Sequence, residues 1–114
     1  MRYIELDTPA LLIDRERLMK NLKDMQSYAD AHGVALRPHT KTHKCPEIAK
    51  MQLAAGACGI AVAKVGEAEA MAEAGLDDLF IANEIVGEAK LRRIAALAKR
   101  GVKLAFGVDT PCQV

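Results

Sequence analysis

Residues 37 to 46 read Arg-Pro-His-Thr-Lys-Thr-His-Lys-Cys-Pro and carry the densest chemistry in the 114-residue sequence. Arg37, Lys41 and Lys44 bring cations, His39 and His43 bring imidazoles, and Pro38 and Pro46 bracket the group. A lysine crowded by other cations suits amine chemistry. Neighbouring positive charge and desolvation both favour a free amine, and a free amine attacks a carbonyl to form a Schiff base. The same charges attract a phosphate or a carboxylate. A solvated basic loop is the competing reading. A metal site on His39 and His43 needs a helix to bring an i, i+4 pair together, and the prolines favour a loop. Cys45 lies near His43, yet a small buried hydrophobe or a helix-start residue before Pro46 explains it more simply.

Other charged groups read as surface. Glu67, Glu69 and Glu73 are expected on the solvated face of a helix, and Arg92, Arg93, Lys99 and Arg100 likewise. No GxGxxG or GxxxxGK[ST] phosphate loop occurs. Lys plus Arg number 16 and Asp plus Glu 15, so the net charge is +1. That leaves no field suited to nucleic acid or an acidic membrane surface. The cysteines, Cys45, Cys58 and Cys112, are odd in number and none forms a CxxC pair. A disulfide framework or structural zinc is therefore not expected, and a reducing cytoplasm is. The start of the chain lacks the apolar core of a signal peptide. The longest mostly apolar run, Leu53 to Ala63, has 11 residues and two glycines, short of the roughly 20 that cross a membrane.

The elements that must position the basic stretch follow from a recurring pattern. Gly33, Gly56, Gly75 and Gly101 each follow a helix-like segment and precede a short apolar run. Those runs, Val34–Leu36, Gly59–Val62, Leu79–Ala82 and Val102–Phe106, are predicted strands, and Ala10–Ile13 is a fifth. Between them, apolar stripes predict helices. Leu18, Leu22, Met25 and Ala29 mark the first, with Asp14 as its N-cap. Pro46 opens the second. Ala68, Met71, Ala72 and Gly75 line the third, and Leu91, Ile94, Ala95 and Ala98 the fourth. Strands alternating with helices mean a parallel α/β sheet, whose working residues sit at the C-terminal ends of strands. The basic stretch follows the second run directly. A closed eight-stranded barrel takes about 200 residues or more, so the expected fold is the N-terminal portion, about half, of a (β/α)8 TIM-like barrel with outer helices, incomplete in this chain.

Four stretches, LDTPALLID, RPHTKTHKCPEIA, AKVGEAEAMAEAGLDDLFIANEIVG and VDTPCQV, together resemble the D-threonine aldolase family. These are fold-type III pyridoxal-phosphate enzymes, related to alanine racemase and D-serine dehydratase. The resemblance implies that residues 1–114 are a partial alanine racemase-like N-terminal barrel domain. It implies that residues 1–13 form a strand that pairs with a C-terminal β domain. Lys41 would hold pyridoxal 5'-phosphate as a Schiff base, with Arg37, His39 and His43 also on the cofactor side. Lys44 would take a less critical place. Several relatives carry glutamine where this chain has Ala63. A divalent metal, Mn or Mg, is expected of the family, its ligands lying in a C-terminal domain outside these residues. The implied reaction is retro-aldol cleavage of D-3-hydroxy amino acids to glycine and an aldehyde. A D-serine dehydratase, an amino-acid racemase, a non-catalytic pyridoxal-phosphate-binding protein and an inactive half-barrel are the alternatives. A small D-amino acid is the expected partner, with no nucleic acid and no membrane. Open strand edges further suggest a homo-oligomer or association with the remainder of the barrel.

Overall fold

A computed structural model describes residues 2–114. Helix α1 spans Arg15–Ala31 and α2 Pro46–Ala54. Strand β1 (Ile60–Val62), helix α3 (Val65–Glu73), strand β2 (Asp78–Glu84), helix α4 (Glu88–Lys99) and strand β3 (Lys103–Gly107) then alternate. The three strands form one parallel sheet in the order β1-β2-β3. The alternation and the parallel sheet are as the sequence pattern predicts.

Local chemistry explains the helix boundaries. The Asp14 carboxylate accepts the Arg17 N–H at 3.0 Å and caps α1. Pro46 takes the first turn of α2, where a missing N–H costs no hydrogen bond. Beyond α3 and α4 the chain reverses at Gly75 and Gly101, with φ of 90° and 91°, a conformation that glycine adopts without strain. The inward faces differ in detail from the apolar stripes. On α1 the buried residues are Gln26 and Ala29, while Met25 is exposed. Gln26 Nε2 donates to Asp30 at 2.8 Å, and its amide end lies against Gly56, where a Cβ would come within 3.2 Å, while its buried Oε1 makes no hydrogen bond. On α4, Ile94 and Leu97 are buried and Ala95 and Ala98 are not.

The core lies between the sheet and α3 and α4. Ile60, Val62, Leu79 and Ile81 pack with Val65, Ala68, Met71, Leu76, Ile94 and Leu97. In register, Ile60 pairs with Leu79 and Leu79 with Leu104, so alternate residues of each strand face the helices. The outer helices are also joined directly. Arg93 Nε donates to Glu69 Oε1 at 2.7 Å while Nη2 engages Oε2. The two residues, expected as free surface charges, instead tie α4 to α3. The paired guanidinium holds the Glu69 carboxyl below its ordinary range.

Two predicted strands do not form. Val34–Leu36 is extended but has no ladder. The segment meets β1 through an isolated parallel bridge, His39 to Ala61, and two backbone bonds. Cys58 N–H donates to the Leu36 carbonyl at 2.9 Å and Ala61 N–H to the Pro38 carbonyl at 2.8 Å. Pro38 has no N–H to continue the pairing. Ala10–Ile13 likewise forms no strand, because no segment among the described residues runs beside it. Leu11, Leu12 and Ile13 are exposed there.

Ile81 is fully buried and Leu11 fully exposed. Ile81→Ala is therefore expected to lower unfolding stability by about 2–5 kcal/mol. Leu11→Ala is expected to change it by less than about 0.5 kcal/mol. Urea titration of the two variants measures the contrast.

Candidate functional site

Beyond the His39–Ala61 bridge the chain enters a 3-10 turn, Thr40–Thr42, and this turn carries Lys41. Three contacts hold it. Thr40 is completely buried, and its hydroxyl donates to the Ala61 carbonyl at 3.3 Å. Its own carbonyl accepts the His43 and Lys44 N–H groups at 3.2 and 2.7 Å. His39 Nδ1 accepts the Lys41 N–H at 3.1 Å. The backbone of Lys41 is thus fixed, while its side chain is exposed and pairs with no acidic group among the described residues. Thr40 is a residue that the reading of charges and imidazoles missed. A hydroxyl flanked by strand and turn was the available signal.

The end of β1 is built by a carboxylate. Glu67 lies in the first turn of α3, where an anion suits the helix dipole. Its Oε2 accepts the Ala63 N–H at 2.8 Å, and Lys44 Nζ stands 3.6 Å from Oε1. Glu67 was expected on a solvated face and is instead buried. Its charge is bound by a backbone donor and a lysine, which offsets part of the cost of desolvation. Asn83 closes the other side by donating from Nδ2 to the Ala63 carbonyl at 3.2 Å. Lys44 reaches Glu67 from a left-handed backbone, φ 49°, an uncommon conformation for a residue with a Cβ.

His43 faces α2. Its Nδ1 accepts the Cys45 N–H at 3.0 Å and so steadies the residue before Pro46. Its Nε2 and Gln52 Oε1 are buried and make no hydrogen bond of ordinary geometry. Burial lowers the ring's pKa, an effect partly offset by the Gln52 side chain and the Cys45 backbone. The neutral ring is the form that accepts at Nδ1.

Arg37 does not join the group at the mouth. Its Nη1 lies 2.7 Å from Asp78 Oδ1 and donates to the Asp78 carbonyl at 3.2 Å. Asp78 opens β2, so the guanidinium sits at the N-terminal end of the sheet, opposite Lys41. The reason is register. A side chain four residues before Lys41 on an extended segment lies well below it, and a carboxylate waits at that level.

A parallel α/β sheet under outer helices, with a lysine held on a turn just past a strand-like segment, defines a barrel-type scaffold with its chemistry at the strand ends. Residues 13–109 match the alanine racemase N-terminal domain family, and the chain belongs to that family. It is 52% identical over 104 residues to a D-threonine aldolase of Arthrobacter sp, covering 91% of this chain and 27% of that protein. It is 42% identical over 107 residues to a D-threo-3-hydroxyaspartate dehydratase of Delftia sp. (strain HT23), covering 94% of this chain and 28% of the relative. The crystal structure of D-threonine aldolase from Filomicrobium marinum superposes with a TM-score of 0.93 at 43% identity, over 97% of this chain and 30% of that one. The chain thus spans under a third of the length of these relatives.

The His43 ring gives a pH signature. Its pKa is lowered on folding, so its contribution to stability is present above the unfolded value of about 6.5. That contribution is lost as pH falls through the lower folded value. The urea midpoint should begin to drop as pH falls through about 6.5 and stop dropping below the folded value. His43→Asn, which keeps an acceptor and cannot titrate, should remove this part of the drop. Thr40→Val should cost roughly 1 kcal/mol in the same assay, the order of one buried hydrogen bond.

Proposed function

We propose that this chain supplies the cofactor lysine and part of the barrel wall of a pyridoxal-phosphate-dependent lyase acting on D-3-hydroxy amino acids. The observation that carries the reading is Lys41. Its side chain is exposed on a turn whose backbone is held by Thr40 and His39. An amine so placed at a strand end fits a carbonyl cofactor. Bound there, pyridoxal phosphate supplies an electron-withdrawing ring that stabilises charge on the substrate's Cα.

The work of the surrounding residues is positional. Lys41 holds the cofactor through its Nζ. His39 keeps the Lys41 N–H occupied and the turn closed. His43, neutral and turned towards α2, supports the far side of the turn through Cys45. Lys44, paired with Glu67, adds a cation near the mouth that is partly balanced. The favoured reaction is retro-aldol cleavage to glycine and an aldehyde, by likeness to the Arthrobacter relative at 52% identity. Dehydration is the second reading, favoured by the Delftia relative at 42%.

No group of three or more His, Cys, Asp or Glu residues that could hold a metal occurs among the described residues. The described side chains offer no such set for a divalent metal, and no step here uses one. On this reading the metal ligands and the C-terminal β domain that residues 1–13 would meet belong to a larger protein. Association of copies, or of this chain with the rest of a barrel, would cover the edges of β3 and of residues 34–39. None of the helices is long and apolar enough to cross a membrane. The three free thiols suit a reducing cytoplasm.

Incubation with pyridoxal phosphate, borohydride reduction and peptide mapping tests the assignment. Label is expected on Lys41, and label on Lys44 or Lys64 with Lys41 unmodified would overturn it. Lys41→Ala should abolish the cofactor's visible absorbance and leave the far-ultraviolet dichroism of the fold unchanged.

A further inference from the structure

The bridge between His39 and Ala61 sets a level across the sheet. Ala61 pairs with Phe80, and Phe80 with Ala105. Two residues earlier, Asp78 pairs with Lys103, and Arg37 lies beside Cys58 and Gly59, where the Cys58 N–H donates to the Leu36 carbonyl. This lower row lies roughly 7 Å below the bridge, two strand rises. Arg37 and Asp78 are therefore not neighbours on adjacent strands. Gly59 stands between them, and the guanidinium crosses it.

The crossing depends on that glycine. A Cβ at position 59 would lie 2.0 Å from Arg37 Nη1 and 2.6 Å from Cζ. Gly59 leaves a gap through which Arg37 reaches both the carboxylate and the carbonyl of Asp78. Beyond Arg37, the buried Thr40 hydroxyl holds the segment to the Ala61 carbonyl. Two backbone hydrogen bonds and one isolated bridge attach it to β1, and Pro38 can donate none. A slip of one residue would turn every side chain of the segment to the opposite face and displace Lys41 along the strand.

We infer that Arg37 is a positioning residue for Lys41: its reach across Gly59 to Asp78 locks the register of residues 34–41 against β1 and β2, in place of the ladder that Pro38 interrupts. The functional half of this statement rests on the reading of Lys41 as the cofactor lysine. The register lock itself does not.

Amide hydrogen exchange in the full chain, without cofactor, tests the lock. Cys58 and Ala61 donate the two backbone bonds that attach the segment. Lys103, whose N–H donates to the Asp77 carbonyl at 2.7 Å, reports on β2 and β3. In Arg37→Met the Cys58 and Ala61 amides should exchange roughly tenfold faster, the order expected for loss of one partly buried charge-assisted contact, with Lys103 unchanged. Gly59→Ala should give the same pattern, since its methyl group displaces only the end of a flexible side chain. The double variant should add nothing to Arg37→Met. Equal acceleration at all three amides, no acceleration at any, or additive effects would each overturn the lock. If Arg37→Met fails to fold, Gly59→Ala alone decides, by the same local pattern. In the presence of pyridoxal phosphate, the rate of borohydride-trapped labelling at Lys41 should fall several-fold in both variants. Unaltered labelling beside faster Cys58 and Ala61 exchange would overturn the positioning role. Absence of Lys41 label in the unsubstituted chain would overturn the cofactor reading and leave the lock decided by exchange.

Discussion

Ile60, Ala61 and Val62 are fixed between neighbours of two different kinds, and the geometry of the site follows from that. On one side β2 supplies a parallel ladder. On the other, the Lys41 segment supplies a bridge, two backbone bonds and the Thr40 hydroxyl. Above, α3 and α4 bury the outward side chains of β1 and β2 in the core. Because the strand has no exposed residue, it can shift only by breaking the core. The flanking turn therefore inherits its rigidity from packing that contains no functional group.

The charges divide along the same axis. At the lower end Arg37 and Asp78 neutralise one another across a glycine. At the upper end Glu67 takes the Ala63 N–H and Lys44, and its burial makes it a fixed part of the strand end. His43 is held towards its neutral form by burial. Of the cations in the basic stretch, Arg37 and Lys44 are thus engaged with carboxylates, and Lys41 is the one whose amine stays available. An electrostatic argument based on a crowd of cations alone would have treated all three alike.

Membership in the alanine racemase N-terminal domain family agrees with this arrangement of parallel strands under outer helices. The likeness in structure is close, with a TM-score of 0.93 to a D-threonine aldolase, yet covers 30% of that chain. Glu67 and Asn83 close the end of β1 at Ala63.

Periodicity and local chemistry determined most of the scaffold. The Asp14 cap, Pro46 at the head of α2, the glycines after α3 and α4, and strands β1 to β3 were all legible, because each depends on residues near one another in the chain. The basic stretch stood out for the same reason. The tertiary structure alone decided which side chains meet. Arg37 turned to Asp78, 41 residues later, because register set them level and Gly59 opened the way. Glu67 was drawn from a solvated face to the end of β1 by a backbone N–H with no other partner. Val34–Leu36 read as a strand by its apolar run, but a strand needs a ladder, and Pro38 withholds a donor. Ala10–Ile13 has no neighbour to pair with among the described residues and forms no strand there. Composition and spacing record what each residue prefers. Pairing across strands depends on the level at which segments meet, and that level is fixed only once the core has packed.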